Sequence, residues 1–259
     1  MAVIKNSKLR TIICKNCDFE FEGKFCPNCS QSQLANYRLN FKGVVSEFFD
    51  TLFNFDKGLW YTFWNLLKQP HFVAQNFIDG KRKRFTSPVK YFVISTIIQA
   101  IVVYLFLRDS TNLPTTKFFF LSEETNQNIK YWGEIMTFDY PVFLGIISTL
   151  VWTILIYILF KKSNYNFTEL LVSSLYFYGT IFILINLISI AYKPLTNDNL
   201  PMSLVSFIGF AYMTFAYFRF FKQVNFVWRV VKIIMVFIGL FLFRMLVFPL
   251  VLNWFFPLN

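Results

Sequence analysis

Five long apolar runs, almost free of charge, constrain this chain more than anything else in it. They cover residues 89–107, 141–160, 170–192, 202–221 and 230–252. A helix rises about 1.5 Å per residue, so roughly 20 apolar residues cross the hydrocarbon of a bilayer. The fourth run is the shortest in effect, because Arg219 trims its clean part to 202–218, about 25 Å of helix. Only 15% of the residues are charged and 56% are hydrophobic, where soluble domains carry about 25% charged residues. That balance excludes a cytosolic α/β enzyme, a disordered chain and a small disulfide scaffold. Ser87-Pro88 reads as the start of the first span, and Pro201 begins the fourth in the same way.

The charges between the spans set the expected orientation. Residues 1–90 hold fourteen Lys/Arg against seven Asp/Glu, and 108–140 hold three against five. Lys161 and Lys162 follow, then a near-neutral loop with Lys193 and Asp198, then Arg219, Lys222 and Arg229. Basic and neutral or acidic segments alternate, as the positive-inside rule requires of five spans with the N-terminus inside and the C-terminus outside. Residues 1–13 lack an apolar signal core, so the first span is expected to be its own insertion signal.

All four cysteines fall within sixteen residues, as Cys14-x₂-Cys17-x₈-Cys26-x₂-Cys29. Two Cys-x-x-Cys knuckles can gather four thiolates around one tetrahedral Zn²⁺, with Phe19, Phe21 and Glu22-Gly23 forming a short hairpin between them. Disulfides are the alternative, disfavoured in a reducing compartment. Iron would also fit a four-sulfur cage. A closed four-cysteine shell leaves no position for substrate, so the zinc is expected to be structural, folding a module too small for a core of its own.

Between the ribbon and the first span, apolar residues recur with helical period at Phe41, Val44, Val45, Phe48, Phe49 and Leu52 across 41–55. A second helix is expected over 59–68, with Trp60, Phe63, Trp64 and Leu67 on one side, and a third after Pro70 with Gly80 just past its end. Such aromatic amphipathic helices suit the headgroup boundary or pack on the protein's own spans. Lys81, Arg82, Lys83 and Arg84 then stand together before the first span. They enforce topology, and at an anionic cytoplasmic leaflet each contributes about 1 kcal/mol of attraction. Their closeness to the bilayer argues against nucleic acid as a partner.

These pieces together resemble a bacterial domain-of-unknown-function family of zinc-ribbon-headed integral membrane proteins. The residues that carry the resemblance are Cys26-Pro-Asn-Cys29-Ser-Gln31, Leu67-Lys-Gln-Pro70, and Phe77-Ile-Asp-Gly80-Lys81-Arg82-Lys83-Arg84-Phe85-Thr-Ser-Pro88. It covers 14–107; Ser30 departs from it, since glycine commonly follows the second knuckle there. The resemblance implies ribbon zinc and a polytopic domain in the bacterial inner membrane, and no activity. The five-span layout is also similar to the Yip family of membrane-trafficking and membrane-shaping proteins, by analogy of fold alone.

The expected fold class is therefore an all-α polytopic membrane protein. It divides into a zinc ribbon (1–35), an amphipathic juxtamembrane segment with a basic box (36–87) and five transmembrane helices (88–259). The spans carry no catalytic constellation: His71 is the one histidine and lies outside them, and the nine glycines form no phosphate loop. Arg244 is the exception, about 21 Å into the fifth span by helical rise. It is expected to face the bundle and pair with Asp139 or with carbonyls and hydroxyls. The leading expectation is a non-enzymatic scaffold whose ribbon docks a protein partner and whose basic neck binds anionic lipid. The alternative is a transporter, channel or lipid-moving protein with a polar cleft near Arg244. A continuous cavity reaching Arg244 would favour the second, and a bundle filled by Phe and Leu the first.

Overall fold

The computed structural model describes residues 11–41, 43–44, 58–107, 119 and 121–255. Most of the helix expected over 41–55 lies outside them. Among the described residues, five helices are long and apolar enough to cross a membrane: Pro88–Leu105, Pro141–Leu159, Phe167–Thr196, Ser203–Phe220 and Phe226–Phe255. This is consistent with a multi-pass membrane protein. The first, second and fourth match the expected runs within a few residues. The third and fifth reach thirty residues, about 45 Å, and so outrun the roughly 30 Å of hydrocarbon.

In chain order the elements are a two-stranded hairpin, β1 (Ile12–Ile13) and β2 (Glu20–Phe21), then α1 (Gly58–Lys68), α2 (Pro70–Ile78) and α3 (Pro88–Val102). α4 (Glu123–Phe138), α5 (Pro141–Leu159), α6 (Phe167–Thr196), α7 (Met202–Phe220), α8 (Phe226–Leu242) and α9 (Phe248–Phe255) follow. β1 and β2 pair antiparallel, Ile12 opposite Phe21.

α6 is the central post, with 72% of its apolar window buried against 22–44% for the other four spans. Its start is secured by a capping box: Asn166 Oδ1 accepts from the Glu169 amide, and Glu169 Oε2 accepts from the Asn166 amide. α3 lies closest to it. A Cβ on Gly179 would sit 2.9 Å from the Tyr91 ring, so only glycine permits this approach, and the Tyr91 and Thr180 hydroxyls hydrogen-bond across it at 3.0 Å. The outward faces of α5 and α8 carry exposed Ile146, Leu150, Ile154, Ile234, Ile238 and Phe241, a belt too apolar for water.

The end of the bundle nearest the cysteines is tightly filled. Trp152, Phe160, Phe177, Tyr217, Phe220 and Phe221 are all fully buried there, Phe160 and Phe221 stacked at 4.0 Å. α1 and α2 cap this end. Their Phe63, Leu66, Val73, Ala74 and Phe77 join the main core, the Tyr212 hydroxyl donates to the Leu66 carbonyl at 3.1 Å, and the Tyr176 hydroxyl donates to that of Thr86 at 2.7 Å. The side of α1 expected to be uniformly apolar is thus divided: Phe63 is buried, while Trp60 and Trp64 remain exposed.

Two features were not foreseen. Part of the 108–140 loop is helix α4, started by Ser122, whose hydroxyl accepts from the Thr125 amide, with Glu123 and Glu124 in the favourable first turn. Between α8 and α9 the helix widens into a π-helical turn, Phe243–Val247. Pro249 supplies a reason: it has no N–H for the Met245 carbonyl and its ring would crowd that oxygen, and a widened turn just upstream relieves both. Arg244 lies in that turn.

Candidate functional site

The cysteine cluster is built from two copies of one backbone turn. In the first, the Asp18 amide donates to the Cys14 carbonyl and the Cys14 amide to that of Phe19. In the second, Ser30 donates to Cys26 and Cys26 to Gln31. The residue after each second cysteine is left-handed, Asp18 at φ 55° and Ser30 at φ 58°. Ser30 therefore occupies the conformation glycine would take most easily.

All four sulfurs lie within 4.8 Å of one another and could hold a metal ion. Cys14 and Cys29 are 3.5 Å apart, Cys17 and Cys26 3.6 Å. Those are not bonded contacts, and the cysteines are free. A tetrahedron with metal–sulfur bonds of about 2.3 Å has sulfur–sulfur edges of about 3.8 Å, so the cage is sized for one. The Phe19 amide aims at Cys17 Sγ and holds that thiol down to about 7, while burial pushes the Cys29 thiol up to about 12.

This cluster is not a free head; it is clamped to the capped end of the bundle. α2 ends in a Schellman turn, with Gly80 donating to the Phe77 carbonyl and Lys81 to that of Asn76. Gly80 has φ 96°, and the Gln31 side-chain amide grips the backbone there: its Nε2 donates to the Gly80 carbonyl at 2.8 Å and its Oε1 accepts from the Arg82 amide at 3.1 Å. The Cys26–Cys29 knuckle thereby places its next residue but one on the basic box. A second clamp follows, where Arg38 donates from Nε and Nη2 to the two carboxylate oxygens of Glu169 and from Nη2 to the Asn164 carbonyl. Glu169 is buried, and Asn166 donates to the Leu39 carbonyl alongside it.

Of the four basic-box cations, Lys81, Lys83 and Arg84 face solvent. Arg82 turns inward, donating from Nε to the Phe77 carbonyl with its guanidinium 5.2 Å from the centre of that ring. Its burial belongs to the fold of α2 and takes it out of an outward-facing set.

At the other end of the bundle a cavity of about 800 Å³ opens between α5, α6, α7 and α8, with the ends of α3 and α4 and the π-helical turn after α8 completing its wall. It runs from Asp198 and Asn199, in the loop between α6 and α7, down to a floor of Trp152, Met213 and Phe237. Arg244 is part of its wall and is exposed there. No ion pair joins Arg244 to Asp139, which caps α4 and does not line the cavity, and among the described residues Arg244 has no hydrogen-bond or ion-pair partner. Ser148 also lines the cavity, buried, with no partner for its hydroxyl. Gln31, Arg38 and Glu169 were not anticipated as contact residues. Gln31 carried a signal only in its adjacency to the second knuckle, and the ion pair, 131 residues apart in sequence, carried none.

A family described as a protein of unknown function (DUF3667) matches residues 56–100. That stretch holds α1, α2, the basic box and most of α3, the cap on which the cysteine cluster rests. No curated protein matches the chain, and no solved structure does.

Proposed function

We propose that this protein is a non-enzymatic membrane protein that takes a ligand into one end of its helical bundle and carries a zinc ribbon fixed to the other. The cavity supports this reading most directly. It has the size of small-molecule sites, about 300–1,000 Å³, and its wall alternates apolar side chains with polar ones such as Gln99, Tyr178, Ser189, Ser206 and Arg244. The aromatic packing below it leaves one end open and the other closed, which suits binding or carriage of a ligand better than a continuous channel.

The remaining parts take supporting roles. Zn²⁺ held by Cys14, Cys17, Cys26 and Cys29 would be structural, since four thiolates complete its shell. With the basic end inside a bacterial inner membrane and the C-terminus outside, the cavity opens outward. Lys81, Lys83 and Arg84, with exposed Trp60 and Trp64 nearby in the cap, would meet the anionic cytoplasmic leaflet. A second reading, the docking scaffold, draws on one observation: Phe19, Phe25, Leu34 and Tyr37 are exposed on the ribbon and its first turn.

Cysteine labelling tests the leading reading. Ser206→Cys, at an exposed position of the cavity wall, should react with a membrane-impermeant maleimide from the side opposite the ribbon, above the background of the four native cysteines. Ser174→Cys, within the packed end, should react only after denaturation. Equal silence of both positions in the folded protein would refute a water-filled cavity and return the weight to the scaffold.

A further inference from the structure

We infer that the cavity ligand is an amphiphile with an anionic oxygen headgroup, its acid group held by Arg244 and Ser148 and its hydrocarbon on the apolar walls. This rests on the cavity reading above and names its ligand class. Three observations carry it.

The first is unmet donor capacity. Arg244 is the cation in the cavity wall; its guanidinium has five donors and, among the described residues, no acceptor or counter-charge. An arginine within a span is costly unless something pairs with it. Ser148 adds a buried hydroxyl with no partner.

The second is register. α5 and α8 run antiparallel: Gly239 approaches Leu155, with a Cβ there only 3.1 Å from Leu155 Cδ1, and further along the Phe248 ring lies 6.5 Å from that of Phe143. Counting between those two contacts brings Arg244 level with Ser148. The two unpartnered donors therefore belong to one layer of the cavity, about one helical turn from Trp152 along α5 and about two from Phe237 along α8, where those two rings meet at 4.8 Å.

The third is the remaining wall. It is mixed: Ile181, Phe182, Ile185, Val205 and Phe210 present hydrocarbon, while Gln99, Tyr178, Ser189 and Ser206 add uncharged polar groups. A free inorganic anion would leave that surface facing water, and a plain hydrocarbon would leave Arg244 unpaired. A single molecule with an acid group and a chain satisfies both. Asp198 also lines the cavity, at the loop, and no ion pair links it to Arg244. Its carboxylate repels an anion at the mouth and so favours the headgroup deeper, at Arg244.

Gly209 gives the test a clean blocking variant. It lines the cavity, and a Cβ built there meets nothing within 4 Å, so Gly209→Leu starts a bulky side chain in open space beside the cavity and removes a helix-weakening residue. The full chain in neutral phosphatidylcholine nanodiscs is titrated with octyl phosphate, octanol and inorganic phosphate by calorimetry. Octyl phosphate should saturate one site. Arg244→Gln should weaken it at least about tenfold, as expected for hydrogen bonds to a charged group, and Gly209→Leu should abolish the site without lowering the melting temperature. Asp198→Asn should leave the affinity unchanged or raise it. If octanol binds as well as octyl phosphate, and Gly209→Leu blocks both, the cavity reading stands and the anionic class is overturned. If inorganic phosphate binds as tightly as octyl phosphate, the amphiphile is overturned. Should no probe bind, or binding survive Gly209→Leu intact, the cavity reading falls with the inference.

Discussion

Replacing Gly80 by alanine should unseat the cysteine cluster from the bundle while leaving its own fold intact. The backbone at Gly80 has φ 96°, and a Cβ there would lie 2.4 Å from the Ala35 carbonyl oxygen and 2.8 Å from Lys15 Cδ. The lysine carbon can swing away; the carbonyl can move only with the turn that carries it. Strain from a side chain at this φ costs about 1–3 kcal/mol. Displacing Ala35 also breaks the two hydrogen bonds of the Gln31 amide to Gly80 and Arg82, at about 1 kcal/mol each. The φ strain stays with the α2 turn in both states, so undocking should become easier by the two lost bonds, about 2 kcal/mol, or at least about thirtyfold in population.

Amide hydrogen exchange reads this directly. The Arg82 N–H is bonded to Gln31 Oε1 and should exchange at least about thirtyfold faster in Gly80→Ala. The Gln33 N–H, bonded to the Lys24 carbonyl within the cysteine module, should keep its rate. Gly23→Ala is the control: Gly23 also has positive φ, 112°, but a Cβ there meets nothing within 4 Å. It should bear the backbone strain alone and leave Arg82 protected. If Gly80→Ala left the Arg82 amide as slow as in the parent, the docking geometry described above would be wrong.

Other consequences follow from the same contacts. Glu169→Ala should lower the melting temperature more than Arg38→Ala, because it removes the ion pair and also the α6 capping box, a feature of about 1 kcal/mol; equal losses would contradict the cap's share. Stripping metal with a chelator, or replacing Cys26 by serine, should speed exchange at both Arg82 and Gln33, and elemental analysis of the intact chain should find one zinc; metal-free protein with unchanged exchange would refute a structural metal. Burial, with Lys222 and Arg219 nearby, pushes the His71 imidazole below its ordinary 6.5. The unfolded chain therefore binds the proton that the folded chain resists, so stability should fall as pH drops through about 6.5, and His71→Gln should flatten that part of a melting-temperature profile.

How much of this was legible without coordinates depended on the range of the forces involved. The spans announce themselves because hydropathy accumulates along contiguous residues; α6 and α8 with α9 were underestimated in length because their ends leave the apolar zone while the helix continues. Helix α4 was missed because its 16 residues mix Glu123, Glu124, Lys130 and Glu134 with aromatics, so no hydropathy signal separates it from a loop. Arg82 reads like its three neighbours in a basic run, and only the Schellman turn at Gly80 sends it inward against Phe77. Trp60 and Trp64 share a helical face with Phe63 on a wheel, yet the packing of α1 on the bundle divides them.

Sequence alone determined the apolar spans and the four-sulfur spacing, because both are written in adjacent residues: one in the solvent a stretch of chain prefers, the other in a turn that closes within a few bonds. Tertiary structure alone decided that the cysteine module is clamped through Gln31 and Arg38, that Arg244 meets a cavity with Ser148 and not Asp139, and that one end of the bundle is packed and the other open. Those outcomes depend on which distant side chains share a volume once the helices are laid side by side, and no local pattern records that.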